Sequence, residues 1–197
     1  GWVRSGTDLG ASPDAAEVLE NFFPTVRGAE MRRGSVKHAT VDAAVVRMFG
    51  YRSGSTALLF GGTASAVYDL TSPADATVAE TPVWHDQSSG DWSSVQMSTS
   101  GGVFAVGVNG ADNAIYYDGT EFNPITNQAI SDLDYDALTA DFSVGETVTG
   151  GTSGATATVE GLVRSTSTTG TLKLGTITGT FQDDETITSA GGSATVD

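Results

Sequence analysis

The chain has 197 residues, 39% of them hydrophobic, a formal net charge of −15 and no cysteine. That length suits one ordinary domain or two small ones; the lack of cysteine excludes disulfides and thiolate metal ligands, and no run approaches the roughly 18 apolar residues of a membrane helix. Residues 1–52 carry seven of the nine basic residues, while residues 53–197 carry eighteen of the 24 acids, and an acidic bulk of that kind repels nucleic acid.

The first element predicted is a short helix in "SPDAAEVLENFFP". Ser12 serves as N-cap, Pro13 stands at the first helical position, and Asp14 and Glu17 lie in the first turn, where the helix dipole favours carboxylates. Pro24 ends it. Val18, Leu19, Phe22 and Phe23 fall near helical spacing and form a docking face. The stretch "NFFPTVRGAEMRRGSVKHA" then gathers Arg27, Arg32, Arg33 and Lys37. It lacks the interleaved aromatics of a single-strand-binding platform, and Glu30 interrupts its charge. With Phe22 and Phe23 as apolar anchors, these four cations are read as a docking arm for acidic surfaces of this or a neighbouring subunit; contact with DNA in a channel is the alternative.

From Val41 short valine-, phenylalanine- and tyrosine-rich runs alternate with Gly, Asp, Asn and Ser: "AVVRMFGYR", "TALLFGG", "SAVYDLT", "WSSVQMST", "GGVFAVGVNG", "NAIYYDG". They predict β-strands joined by tight turns. "LLFGGTASAVYDL" (58–70) overlies "GVNGADNAIYYDG" (107–119) at an offset of 49, matching Gly61 to Gly110, Tyr68 to Tyr117 and Asp69 to Asp118. That period fits one blade of a β-propeller; two hairpins with similar turns would also produce it. Residues 72–91 read as a long connection, and "NQAISDLDYDALTAD" as a polar link.

The last region contains a duplication. "FSVGETVTGGTSGATAT" (142–158) overlies "FQDDETITSAGGSATVD" (181–197) without a gap at an offset of 39, pairing Phe142 with Phe181, Glu146 with Glu185 and Ala155 with Ala194. Each copy predicts a β-hairpin, and "GTLKLGTITGTF" between them two more strands with Leu172, Leu174 and Ile177 apolar. The pair would close a small threonine-rich sandwich or barrel. The start at Gly1 and the second copy's stop at Asp197 lead to the expectation of a longer polypeptide. The chain is thus read as mainly β: an N-terminal arm with one short helix (1–40), propeller-like antiparallel blades (41–128) and a module of two repeats (129–197).

Motifs for chemistry fail one by one. His38 and His85 have no ligand-spaced partner and read as surface or turn residues. "GTSGA" has Ala155 where a nucleophile elbow needs glycine, so Ser153 is a turn residue. Neither "GGTSG" nor "GVNGADN" leads into the helix that a phosphate loop requires. Asp132, Asp134 and Asp136 alternate as in a calcium loop, but Ala137 and Ser143 occupy the glycine and glutamate positions. They read as a solvated strand face opposite Leu133 and Tyr135, with adventitious calcium as the alternative. Glu146 and Glu185, equivalent in a duplication, read as structural. No cofactor, metal or enzymatic activity is expected.

"AAEVLENFFPTVRGAEMRRGSVKHA", "VVRMFGYRSGSTALLFGG", "VYDLT" and "VNGADNAIYYDG" together resemble the N-terminal portion of tailed-bacteriophage tail proteins of the nozzle or tail-tube type, over roughly residues 15–126. One departure is Arg32-Arg33-Gly34 where that family often has Arg-Pro-Gly. The resemblance implies a β-propeller, a homo-oligomeric ring of six copies around the genome's exit channel, contacts with other tail or portal-adaptor proteins, transient contact with DNA, and a place in the virion tail with no membrane. The duplicated unit is similar to modules of phage structural proteins, where it looks like an inserted, outward-facing domain. A capsid decoration or fibre protein is the alternative in the same class. From another class comes a carbohydrate-binding module, with Trp84, Trp92 and Tyr117 exposed to stack on sugars.

Overall fold

A computed structural model describes residues 22–25, 28–31, 36–73 and 75–197, the first two stretches as backbone strands. The described residues form strands and no α-helix, and none of their elements is a helix able to cross a membrane. The chain divides into two units, Gly1–Lys37 and His38–Asp197.

In the first unit β1 (Phe22–Thr25) pairs antiparallel with β2 (Gly28–Met31), Phe22 opposite Met31 and Thr25 opposite Gly28. The helix expected from Ser12 lies, up to Asn21, outside the described residues. Its expected last turn is not helical: Phe22 and Phe23 begin β1. Pro24 explains this, because a proline disfavours α conformation in the residue before it and its ring suits an extended strand.

The second unit contains two four-stranded antiparallel meanders and a closed barrel. The first meander is β3 (Arg47–Ser53), β4 (Thr56–Gly62), β5 (Ala66–Asp69) and β6 (Trp84–His85), neighbouring in that order. The second is β7 (Ser93–Thr99), β8 (Gly102–Val108), β9 (Ile115–Tyr117) and β10 (Phe122–Pro124). Residues 72–91 are therefore not all connection, since Trp84 and His85 supply the fourth strand. Two residues suffice because Val67 and Ala66 pair with them.

The two meanders pack face to face. Because paired residues share a side and neighbours alternate, the register assigns Phe49, Tyr51, Leu58, Phe60, Val67 and Trp84 to one side of the first sheet, its front. The same logic puts Val103, Ala105, Ile115, Tyr117 and Phe122 on one side of the second sheet, its back. These two faces make a single core. Phe60 touches both Tyr117 and Phe122 with ring centroids 5.0 Å apart, Tyr51 meets Tyr117 edge-on at 5.0 Å, and the Tyr51 hydroxyl donates to the Val103 carbonyl at 3.1 Å. Trp92 enters between the sheets, its ring against Gly62 of one, where a Cβ would collide with it, and close to Gly107 of the other.

The structure also corrects the repeat's alignment. The hairpin β3–β4 corresponds to β7–β8 at an offset of 46, so Gly61 is equivalent to Gly107 and not to Gly110, which lies in the turn after β8 with φ of 75°. That turn is one residue longer than its counterpart, so Gly61 pairs with Tyr68 whereas Gly107 pairs with Ile115, and Tyr117, opposite Ala105, is not the equivalent of Tyr68. Both tyrosines lie on the back of their sheets.

The barrel runs β11 (Ser131–Ala140), β14 (Gly170–Leu174), β13 (Thr156–Arg164), β12 (Thr147–Gly150), β15 (Thr186–Thr188), β16 (Ser193–Val196) and back to β11. The supposed polar link is thus a barrel strand: Leu133 and Tyr135 point inward, while Asp132 and Asp134 are exposed. Between the two copies there is one strand, β14, where two were expected; beyond it Thr178 makes only an isolated bridge to Thr156. Val148, Val159, Leu162, Leu172, Leu174 and Ile187 fill the interior. Thr149 and Thr188, equivalent in the duplication, face each other across β12 and β15. An antiparallel pair centred on equivalent residues is the mark of a local two-fold axis relating the copies.

The barrel is fixed to the ends of the sheets. Gly161 lies under the Trp84 ring so closely that a Cβ there would overlap it. Lys173, fully buried, reaches Glu121 at 2.6 Å and Asp132 at 2.9 Å, and the Val144 amide donates to Asp86 at 2.6 Å.

Candidate functional site: an uncovered sheet face

The residues expected to dock or contact a channel lie at the N-terminal end. Phe22 and Phe23 are in β1, Lys37 is exposed after the hairpin, and Arg27, Arg32 and Arg33 lie outside the described residues.

The aromatics expected to stack on sugars are not available for it. Trp84 and Trp92 are each 4% exposed and Tyr117 8%, all within the core between the two sheets. A strand places alternate residues on opposite faces, and these fall on the faces that meet. The carbohydrate-binding reading loses its platform.

Several titratable groups hold the fold. Ser153 donates its hydroxyl to Glu185 at 2.8 Å, as a turn residue would. His85 is not a surface residue: it sits in β6, and its Nε2 accepts from Arg164 Nε at 3.2 Å, which requires a neutral ring. Burial, and secondarily the Arg164 charge, push its pKa down to about 4. Arg164 itself pairs with Asp141. Among the described residues no group of His, Asp and Glu has the arrangement of a metal site.

Among the described residues, none packs over the whole front of the second sheet. Register places Val95 opposite Val106, Met97 opposite Phe104 and Val106 opposite Tyr116, all on the side away from the first sheet. Val95 is 63% exposed and Met97 49%; Val108 is exposed on the same side, and Phe104, Val106 and Tyr116 are partly so. Phe104 and Tyr116 form an edge-on pair at 6.0 Å. An apolar face of contiguous valine, methionine and aromatic side chains marks an interaction surface far better than scattered exposed residues do. The alternation that builds it was visible in "SSVQMST" and "GGVFAVGV". It did not show which side of the strand faces water.

Compared with known protein families, curated proteins and solved structures, the chain has no match.

Proposed function

We propose that this chain is a structural virion protein, a subunit of a phage tail nozzle or tail tube, working by geometry and assembly rather than by catalytic turnover. One observation carries the reading: two four-stranded meanders stack front on back, and the second leaves a further apolar front uncovered. Stacked four-stranded antiparallel sheets are also the units of a β-propeller, and this supports the reading. The resemblance of residues 15–126 to nozzle and tail-tube proteins supports the same reading. The carboxylates fit it too, since Glu146 and Glu185 tie down turns and Glu121 and Asp132 hold Lys173.

In this reading copies of the chain form a ring around the exit channel, the acidic bulk of residues 53–197 keeps DNA from adhering to the wall, and the basic N-terminal stretch meets acidic neighbours. Cryo-electron microscopy of particles that carry the chain tests it. Density for a ring on the tail axis is the expected result. Location on the capsid shell would favour the decoration or fibre alternative, and particles without the chain would overturn the virion reading altogether.

A further inference from the structure

We infer that Lys173 and Asp132 condense to a covalent amide, an intramolecular isopeptide bond that locks β14 to β11, with Glu121 as the proton carrier. The inference is independent of the virion reading. It starts from an amine placed where amines are rarely found. Lys173 is fully buried, and its Nζ lies 2.6 Å from Glu121 Oε1 and 2.9 Å from Asp132 Oδ1.

Strand register explains why the three groups meet. Asp132 and Lys173 are paired residues on neighbouring antiparallel strands, so their side chains leave the barrel wall on the same side. Leu133, Leu172 and Leu174 belong to the barrel interior, which turns Asp132 and Lys173 outward. Gly161, the partner of Lys173 on β13, lies under the Trp84 ring. The junction between barrel and sheets therefore covers the lysine, and Glu121 reaches it from the turn between β9 and β10.

Amide formation is unfavourable between free groups in water, but groups held in reacting geometry reach effective molarities of roughly 10⁵–10⁸ M. Two residues fixed opposite each other in a hydrogen-bonded ladder meet that condition. The product also removes a buried ammonium, whose desolvation an ion pair offsets only in part. The step balances without an oxidant or cofactor. Glu121 moves one ammonium proton to Asp132, leaving a neutral amine beside a neutral carboxyl. Lys173 Nζ then attacks Asp132 Cγ; the Nζ–Cγ bond forms, one Cγ–O bond breaks, and that oxygen leaves as water with a second Nζ proton passed on by Glu121, which ends as it began. The Asp132 side chain is 50% exposed, so the released water has a way out. Asp132 is the acceptor because its strand fixes it, whereas Glu121 stands in a turn. In a chain without cysteine, the bond supplies the constraint on the unfolded state that a disulfide supplies elsewhere. In chains that still carry the full mass, the three groups are an ion pair, and substitutions in them affect stability as they do for an ion pair.

Intact-mass measurement of the purified, denatured 197-residue chain tests the inference. The expected result is a chain lighter than its 20.1 kDa sequence by one water, with fragment spectra that join the peptides of Asp132 and Lys173. Lys173→Arg keeps the charge without the nucleophile and should carry the full mass, as should Glu121→Gln, with circular dichroism verifying that each variant folds. The wild-type mass is decisive even if a variant does not fold. Four outcomes overturn the inference: the full mass in the folded wild type, a water loss that fragments locate elsewhere, such as at Asp118-Gly119, a bond from Lys173 to Glu121, or an undiminished water loss in Glu121→Gln.

Discussion

Glu146 and Glu185, 39 residues apart and equivalent in the duplication, each hold the turn of the other's hairpin. Glu185 accepts from the Thr152 and Ser153 amides at 3.0 and 2.9 Å and from the Ser153 hydroxyl at 2.8 Å. Glu146 accepts from the Ser189 hydroxyl and from the backbone of Gly191, the equivalent of Thr152. Each also accepts from the amide three residues before it, Ser143 or Gln182. The local two-fold axis that joins Thr149 to Thr188 thus exchanges two carboxylates as well, and the duplication becomes an interlock instead of two adjacent hairpins.

The interlock should be sensitive to acid. Burial opposes ionisation of Glu185, yet the hydrogen bonds from Ser153, Gln182 and Thr152 outweigh it and hold the pKa at about 2, below the ordinary 4.5. A carboxylate depressed by folding stabilises the fold above its unfolded pKa and loses that contribution as pH falls toward the folded value. Melting temperature should therefore drop between about pH 4.5 and 2, and Glu185→Gln should be less stable at neutral pH with a flatter acid limb. An unchanged acid limb in the variant would show that the drop comes from elsewhere.

His85 should act in a separate window. Its folded pKa of about 4 lies below the ordinary 6.5 because the ring is buried against Arg164. The neutral form belongs to the fold, so stability is complete above pH 6.5 and declines as pH falls from there to 4, where the unfolded chain takes up the proton first. His85→Phe should remove this component, read as a smaller loss of melting temperature between pH 6.5 and 4 than the wild type shows.

Between the sheets, Phe60 is 1% exposed and contacts Phe49, Tyr117 and Phe122. Its truncation to alanine leaves a cavity among rings that cannot collapse onto it, and should cost about 3–5 kcal/mol in denaturant unfolding. The equivalent Val106 lies on the partly exposed front, and Val106→Ala should cost well under half as much in the isolated chain. Similar costs at the two positions would mean that the front is as well buried as the internal interface.

Lys173 offers an asymmetric test. It is fully buried, while Glu121 and Asp132 keep substantial contact with water, at 31% and 50% side-chain exposure. Lys173→Met removes the buried charge and leaves carboxylates that water can solvate, so stability should change by no more than about 1 kcal/mol. Glu121→Gln with Asp132→Asn leaves the buried ammonium without a counter-charge, and should cost about 3 kcal/mol or more. Equal effects in urea unfolding would contradict the pairing.

Trp84 and Gly161 join the sheets to the barrel. Gly161→Ala places a methyl group inside the Trp84 ring volume, and relief requires either element to move, at about 1–3 kcal/mol. Tryptophan fluorescence should report an altered environment in the native state. If both stability and emission were unchanged, the two parts would not be held in this contact.

Much of the fold was legible because its signals are local. Alternation in "GETVTG" and "DETITS" gives a strand with Val148 and Ile187 inside, and an ungapped duplication gives two equivalent hairpins. Even so, the ladders differ: Val148 pairs with Ala157, but Ile187 with Ala194, the equivalent of Ala155. A shift by two residues preserves every face, so the pattern cannot reveal it. The strands most easily missed were Trp84–His85 and Ser131–Ala140, since a short or charge-rich segment becomes a strand only when a neighbour supplies hydrogen bonds.

By itself, then, the sequence determined the class of structure, the duplication, the turns and the structural character of the paired glutamates, because periodicity and turn chemistry are properties of neighbouring residues. Only the tertiary structure decided that the barrel closes through β11, that Trp84, Trp92 and Tyr117 are core, and that Val95, Met97 and Phe104 face outward. A strand's alternation states that two faces differ. Which of them is buried depends on what stacks against it, and that partner lies far away in sequence.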